Sequence, residues 1–240
     1  MRVGRDLCGP GPVRRSNSSA EPKFRREPPD ARREALIAAT LACLKKFGHE
    51  GVSVRRISAE AGVSMGLITH HFHGIDALLA TAYESLAKQL LARSRDPALA
   101  VAGEPLESLH AFFAASFEPE ALDPALFRAW LVFWSLVPHS PKLQAVRERA
   151  YGEARATLER LLSSLKRLPG VPAFQVGSAA IGLSALMDGL WVELSLNPSS
   201  FAPSEAVSLC DDWVHGLAAG AFPALRTSKR DGLPTTSSRR

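Results

Sequence analysis

Three tryptophans and one aspartate in this 240-residue chain are spaced to hold a cation. Trp130 and Trp134 stand one helical turn apart, and Trp191 stands about one turn from Asp188. Two helices laid side by side would therefore offer indole faces and a carboxylate to one space. Indole faces attract quaternary ammonium groups, which have no hydrogen to donate, and a carboxylate supplies the compensating charge. Phe127, Trp130, Leu131 and Trp134 recur on one helical face, as do Phe113 and Phe117 on the preceding helix. Aromatic stripes at this spacing are most often plain core. A ligand cage and a packed interior both stay open for Phe127, Trp130, Trp134, Asp188 and Trp191.

A second chemistry lies in Val54 to Phe72, which read Val-Arg-Arg-Ile-Ser-Ala-Glu-Ala-Gly-Val-Ser-Met-Gly-Leu-Ile-Thr-His-His-Phe. Ile57, Ala61, Val63, Ile68 and Phe72 fall where two short helices joined at Gly62 would press apolar faces together, the layout of a helix-turn-helix. Gly62 lets the first helix stop abruptly, and Ser64 can cap the second. The outer side of that second helix offers Met65, Gly66, Thr69, His70 and His71. These are short or hydrogen-bonding groups suited to base edges in a major groove. Ser53, Arg55 and Arg56 stand where phosphates would pass, and Arg25, Arg26, Arg32 and Arg33 form a basic arm beside the first helix.

Two enzyme-like signals compete with that reading. Gly62-Val63-Ser64-Met65-Gly66 fits the G-x-S-x-G pattern of serine hydrolases, but that motif needs a strand feeding a sharp turn, and a helix precedes it here. A hydrolase remains the alternative of a different class. His70, His71 and His73 do not suit a metal, because adjacent helical histidines diverge by about 100° each and no cysteine is near enough to complete a set. Neither a metal nor a cofactor is expected.

The stretch from Arg32 to Leu91 resembles the DNA-binding domain of TetR-family transcriptional repressors: a first helix, the helix-turn-helix, then His71-Phe72 leading into a long fourth helix at Asp76-Ala77-Leu78-Leu79. Ala129-Trp130-Leu131-Val132-Phe133-Trp134 and Ala185-Leu186-Met187-Asp188-Gly189-Leu190-Trp191 resemble the ligand domain of the choline-responsive BetI branch. The resemblance implies a homodimer on a palindromic double-stranded operator and a small-molecule effector, choline or a related quaternary ammonium. Control of choline uptake or its conversion to betaine would follow. An apolar or drug-like effector is the alternative within the family. One departure stands out. The family usually has a phosphate-touching lysine at the start of the fourth helix, and this chain has Ile75.

Composition fits such a regulator. Hydrophobic residues make up 46% and charged residues 22%, ordinary globular usage for a chain with one or two full cores. The net charge of +5 is unevenly spread: residues 1–78 carry thirteen Lys or Arg against eight Asp or Glu, whereas residues 79–225 carry eleven against fifteen. Positive charge thus gathers on the segment that would meet phosphates. The arginines near the N-terminus lack a following apolar segment, no apolar run approaching membrane-spanning length is expected, and a cytoplasmic location follows. Cys8, Cys43 and Cys210 are odd in number and far apart, which argues against a disulfide framework.

The elements that must position these groups read as all-helical, about nine helices in two domains. Residues 1–30 and 223–240 lack the apolar groups to offset ordering and are expected to be disordered. A helix-turn-helix domain spans 31–78 and a ligand-binding and dimerisation domain 79–222. Leu36, Ile37, Thr40, Leu41, Leu44 and Phe47 place the first helix over 31–47, ended by Gly48. Ser53 caps the second helix, and Leu78, Leu79, Ala82, Tyr83, Leu86 and Leu90 carry the fourth helix on to about Arg95. Asp123-Pro124 and Ser140-Pro141 pair a capping residue with a proline at the first helical position. A helix over 173–196 carries a stripe of small residues, Ser178, Gly182, Ala185 and Gly189. With Trp213 on the last helix it would form a dimer seam of close-packed helices or pack within one subunit; the resemblance implies the former.

Overall fold

The computed structural model describes residues 29–101, 103–222 and 225. Arg25, Arg26, Cys8 and most of the two expected tails lie outside the described residues. Among those described there are nine α-helices: α1 (Pro29–Phe47), α2 (Val54–Glu60), α3 (Gly66–Phe72), α4 (Ile75–Ala100), α5 (Pro105–Ser116), α6 (Pro124–Leu136), α7 (Pro141–Lys166), α8 (Val176–Leu196) and α9 (Pro203–Ala218). Short 3-10 turns at Gly48–Gly51 and Val137–His139 join α1 to α2 and α6 to α7.

Local chemistry sets most of these boundaries. Helix α1 begins two residues before the expected Ala31, since Pro29 at its start needs no amide hydrogen, and Gly48 ends it with φ of 58°. The turn that follows crosses α1 so closely that a Cβ on Gly51 would run into the Cys43 carbonyl. Ser53 caps α2 by accepting from the Arg56 amide. Asp123 accepts from the Ala125 amide at 2.9 Å, and Ser140 from the Leu143 amide at 3.4 Å.

Helix α8 departs from expectation twice. It starts at Val176 rather than Ala173, because Phe174 turns inward to the core and Gln175 is extended, donating its amide to the Leu225 carbonyl at 2.8 Å. Leu225 therefore belongs to the packed body, not to a disordered tail. The sequence expectation of no run of spanning length also needs correction: at 21 residues with a mean hydropathy of 1.4, α8 is long and apolar enough to cross a membrane. Ala179, Ala180, Leu183 and Leu194 of this helix are buried, and it packs against α7 and α9.

Three apolar clusters lie along the molecule. Leu36, Ile57, Ile68, Phe72 and Leu78 hold α1 to α3 against the start of α4. Leu44, Leu79, Tyr83, Val132, Phe133 and Leu143 join that head to α6 and α7, with Tyr83 and Phe133 stacked at 4.8 Å. Phe113, Leu162, Leu183, Cys210 and Val214 centre the body of α5, α7, α8 and α9. Helix α4 contributes to all three, through Leu78, Tyr83 and Ala98. A movement of α4 is thus felt at both ends.

Candidate ligand pocket and nucleic-acid interface

The outer side of α3 is open at most of the positions named from the sequence. Gly62 takes φ of 65°, which ends α2 and turns the chain toward α3. Met65 is 58% exposed, Gly66, Thr69 and His70 are exposed, and Ile68 and Phe72 anchor the opposite side. Ser64 does not cap by its side chain: α3 starts after Met65, and the Ser64 carbonyl accepts the Leu67 amide at 3.1 Å instead. Ser64 is exposed in a helix-to-helix turn, without the strand that a hydrolase elbow requires. His71 is half-buried, with its ring edge-on to His70 at 5.0 Å.

The arginines divide into occupied and free. Arg33 places its guanidinium 4.5 Å from the centre of the Phe72 ring and reaches the His71 carbonyl at 3.4 Å, a cation at the C-terminal end of α3. It clamps α1 to the reading helix rather than extending the basic arm. Arg56 lies over Phe47 at 4.7 Å and meets Glu50 at 3.5 Å. Arg55 is exposed. Ile75, at the position where a phosphate-touching lysine was expected, is half-buried and packs against both the head and the middle cluster.

The predicted aromatic group does come together. Trp130, Trp134 and Trp191 are mutually edge-to-face, with centroids 6.3 to 6.5 Å apart. Trp191 is pinned by its indole N–H, which donates to the Ala121 carbonyl at 2.8 Å, and by the edge-to-face Phe127 at 5.0 Å. A cavity of about 190 Å³ opens beside this group, among α4, α5, α6, α7 and α8. Trp130, Trp191 and Asp188 line it; Phe127 and Trp134 stand behind them as support. Ser184 and Tyr151 complete the polar end. Tyr151 was missed in the sequence, where it sits in a heavily charged helix, although Arg147 one turn earlier stacks on it at 4.4 Å.

Charge at this end is finely placed. Burial pushes the Asp188 carboxyl up to about 6, and the Arg147 guanidinium pulls partly against that shift. Burial likewise raises Tyr83 and Tyr151 above the usual phenol range. Tyr83 Oη and Trp134 Nε1 are buried close to each other without a well-formed hydrogen bond. The cavity wall therefore combines π-faces, a carboxylate reluctant to ionise alone, and poorly bonded polar atoms close behind. A cation entering here would stabilise the ionised carboxylate. Elsewhere, Cys43 and Cys210 are buried with thiols held above their usual range, Cys210 at about 12. Among the described residues no group of three or more His, Cys, Asp or Glu side chains is arranged for a metal.

The pocket is wired to the head through α6. Arg128, next to Phe127 and one turn before Val132, sends Nη1 to the Lys45 carbonyl at 2.6 Å, and its stem lies against Gly48. Ser135 Oγ sits 2.7 Å from His49 Nε2. Arg128 is the only charged residue of α6, a signal that a lone charge in an apolar helix has a fixed partner.

On the other side of α8, Ala185 and Gly189 are exposed, with Ile181 52% and Leu196 65% exposed on the same face and Leu209 47% exposed on α9. Gly182 instead faces inward to Trp213: a Cβ there would lie 3.3 Å from its ring. Ser178 bonds to Gln175 Oε1 at 3.2 Å, and Trp213 stacks on Phe222 at 5.2 Å.

Known proteins resemble the chain over both parts. Residues 36–82 match the family described as bacterial regulatory proteins, tetR family, and residues 105–219 the C-terminal domain of BetI-type transcriptional repressors. The HTH-type transcriptional regulator BetI of Serratia proteamaculans is 31% identical over 189 residues, covering 76% of this chain and 90% of that protein. A transcriptional regulator from Pseudomonas aeruginosa PAO1 is 46% identical, with a TM-score of 0.78 over 85% of this chain and 98% of that one. A regulator from Saccharomonospora viridis, solved in complex with choline, shares the fold at 19% identity and a TM-score of 0.68, covering 78% and 96%.

Proposed function

This chain belongs to the TetR family of transcriptional regulators and carries a BetI-type repressor C-terminal domain, and from that premise we propose that it releases DNA on binding choline or a related quaternary ammonium. As a member it is a DNA-binding repressor and not an enzyme. The observation that carries the effector reading is the joint lining of one cavity by Trp130, Trp191, Tyr151 and Asp188. Aromatic faces and a carboxylate recognise a cation that cannot hydrogen-bond. The naming of relatives for BetI and the choline complex of a fold neighbour support the same class.

Two subunits pair through the outer face of α8 with α9, and each sets Met65, Gly66, Thr69 and His70 into a major groove of a palindromic operator. Ser53 and Arg55 hold phosphates, with Arg56 and His71 at the margin, and Arg25 and Arg26, outside the described residues, are further candidate DNA contacts. Ligand drawn toward Asp188 moves α6 and α4 together, and the head follows through Arg128 and Leu78. Only a difference in ligand affinity between two head spacings is needed.

The test compares choline with its neutral isostere 3,3-dimethylbutanol by tryptophan fluorescence and DNA release. Choline should bind far more tightly, and Trp130→Ala should lower its affinity by roughly 1 to 2 kcal/mol. Equal binding of the neutral analogue would leave a repressor with an apolar effector.

A further inference from the structure

The aromatic and acidic residues that would hold choline line only part of this cavity. Its volume is about 190 Å³, and its lining runs on from the aromatic group over α4 and α5. The cavity is also strongly graded. Trp191, Asp188 and Ser184 on α8, with Trp130 on α6 and Tyr151 on α7, make one polar and aromatic end. Most of the remaining wall is hydrocarbon, including Leu90 and Leu91 of α4, Phe112 and Ala115 of α5, and Leu158 of α7, with Arg93, Ser94 and Ser116 as its polar members. A small cation held at Asp188 would leave that hydrocarbon wall facing space or poorly bonded water, and an apolar chain would convert it into contact.

We infer that the cavity takes a quaternary ammonium bearing an unbranched apolar tail, with the head at Asp188 and the tail along Leu90, Leu91 and Phe112. This rests on the cation reading above and goes beyond it by assigning the second half of the ligand. The consequence for signalling is direct. The cation end touches α6, α7 and α8, whereas the tail end touches α4, the helix that reaches the DNA head through Leu78. Tail length, not charge alone, then sets how strongly ligand binding moves the head.

The experiment titrates the full-length protein with choline and with alkyltrimethylammonium ions from ethyl to octyl, beside the n-alkanols of matching length, reading tryptophan fluorescence and release of operator DNA. In the charged series affinity should rise about fourfold per methylene over the first several carbons, the usual gain for burying one such group, and then level off when the cavity is full. DNA release should strengthen in the same order. Affinity that is flat or falling beyond choline would overturn the tail while leaving the cation reading intact. Alkanols binding as tightly as the charged series would overturn both. Ala115→Leu, which fills the hydrocarbon end, should lose the long-chain gain and keep choline binding. Loss of choline with the long chains unaffected would place the tail elsewhere and overturn the assignment.

Discussion

Arg128 on α6 closes on the main chain of α1, its Nη1 2.6 Å from the Lys45 carbonyl oxygen. The bond joins the helix that carries Trp130 to the end of the helix that braces the reading head. Arg128→Ala should leave ligand affinity unchanged, lower the melting temperature by the equivalent of about 1 kcal/mol, and raise the ligand concentration needed for DNA release. Release at the wild-type concentration would show that α4 alone transmits.

A pH effect follows from Asp188. Its carboxyl is held up at about 6 by burial, against an ordinary 3.8, so ionising it in the free protein is unfavourable, and that penalty grows as pH rises through this interval. A bound cation favours the ionised form. Affinity for a quaternary ammonium should therefore weaken as pH falls below about 6, with proton release on binding near that pH. Asp188→Asn should abolish the pH dependence, weaken cation binding at pH 8, and stabilise the free protein at neutral pH by on the order of 2 kcal/mol. Calorimetry in two buffers of different ionisation enthalpy reads the proton directly.

Tyr83 gives a simpler test. Its hydroxyl is buried beside Trp130 and Phe133, with Trp134 near but no well-formed hydrogen bond. Tyr83→Phe removes a buried, poorly bonded polar atom and keeps the stacked ring, so thermal unfolding should shift upward, by up to about 1 kcal/mol. A clear loss of stability would mean that the hydroxyl finds a partner in solution.

Ile75 trades a phosphate contact for packing. Ile75→Lys should lower stability by about 1 kcal/mol through the lost contacts with the head and middle clusters. The same change should steepen the salt dependence of DNA binding by about one counterion per subunit. A stable variant with an unaltered salt slope would contradict both halves.

Assembly is tested on the outer face of α8. Ala185→Arg or Gly189→Arg should give monomers in analytical ultracentrifugation with weakened operator binding. Gly182→Leu, by contrast, meets Trp213 inside the subunit and should chiefly reduce stability. Dimers of wild-type strength in both arginine variants would move the interface elsewhere.

How far these features were legible depends on where their causes lie in the chain. Ile57, Gly62, Ile68 and Phe72 sit within a few turns of one another, so period and turn chemistry disclosed the head without three-dimensional knowledge. Asp123 and Ser140 likewise act on amides two or three residues away. Trp130, Trp134 and Trp191 were grouped correctly, but which rings face the cavity is decided by the tilt of α6 against α8 and α4, and that left Trp134 behind the wall. Tyr151 and Arg33 were illegible for a related reason: the ring that Arg33 clamps is 39 positions away, and Tyr151 reaches the cavity from a helix whose pattern reads as charged surface. Ile75 looked like a lost contact because the sequence shows the missing lysine and not the two clusters that the isoleucine joins.

Asp188 and Gly189 are consecutive on α8, yet one lines the cavity and the other faces outward. Successive helical side chains diverge by about 100°, so a single turn serves as the wall of the ligand site and as part of the exposed face. Wherever a second subunit seats on that face, the two effector sites stand back to back with little more than two helices between them. Changes that retune ligand preference at this turn would also alter how tightly the subunits grip each other. Chemical specificity and quaternary strength are then not independent traits in this lineage, and drift in one constrains drift in the other.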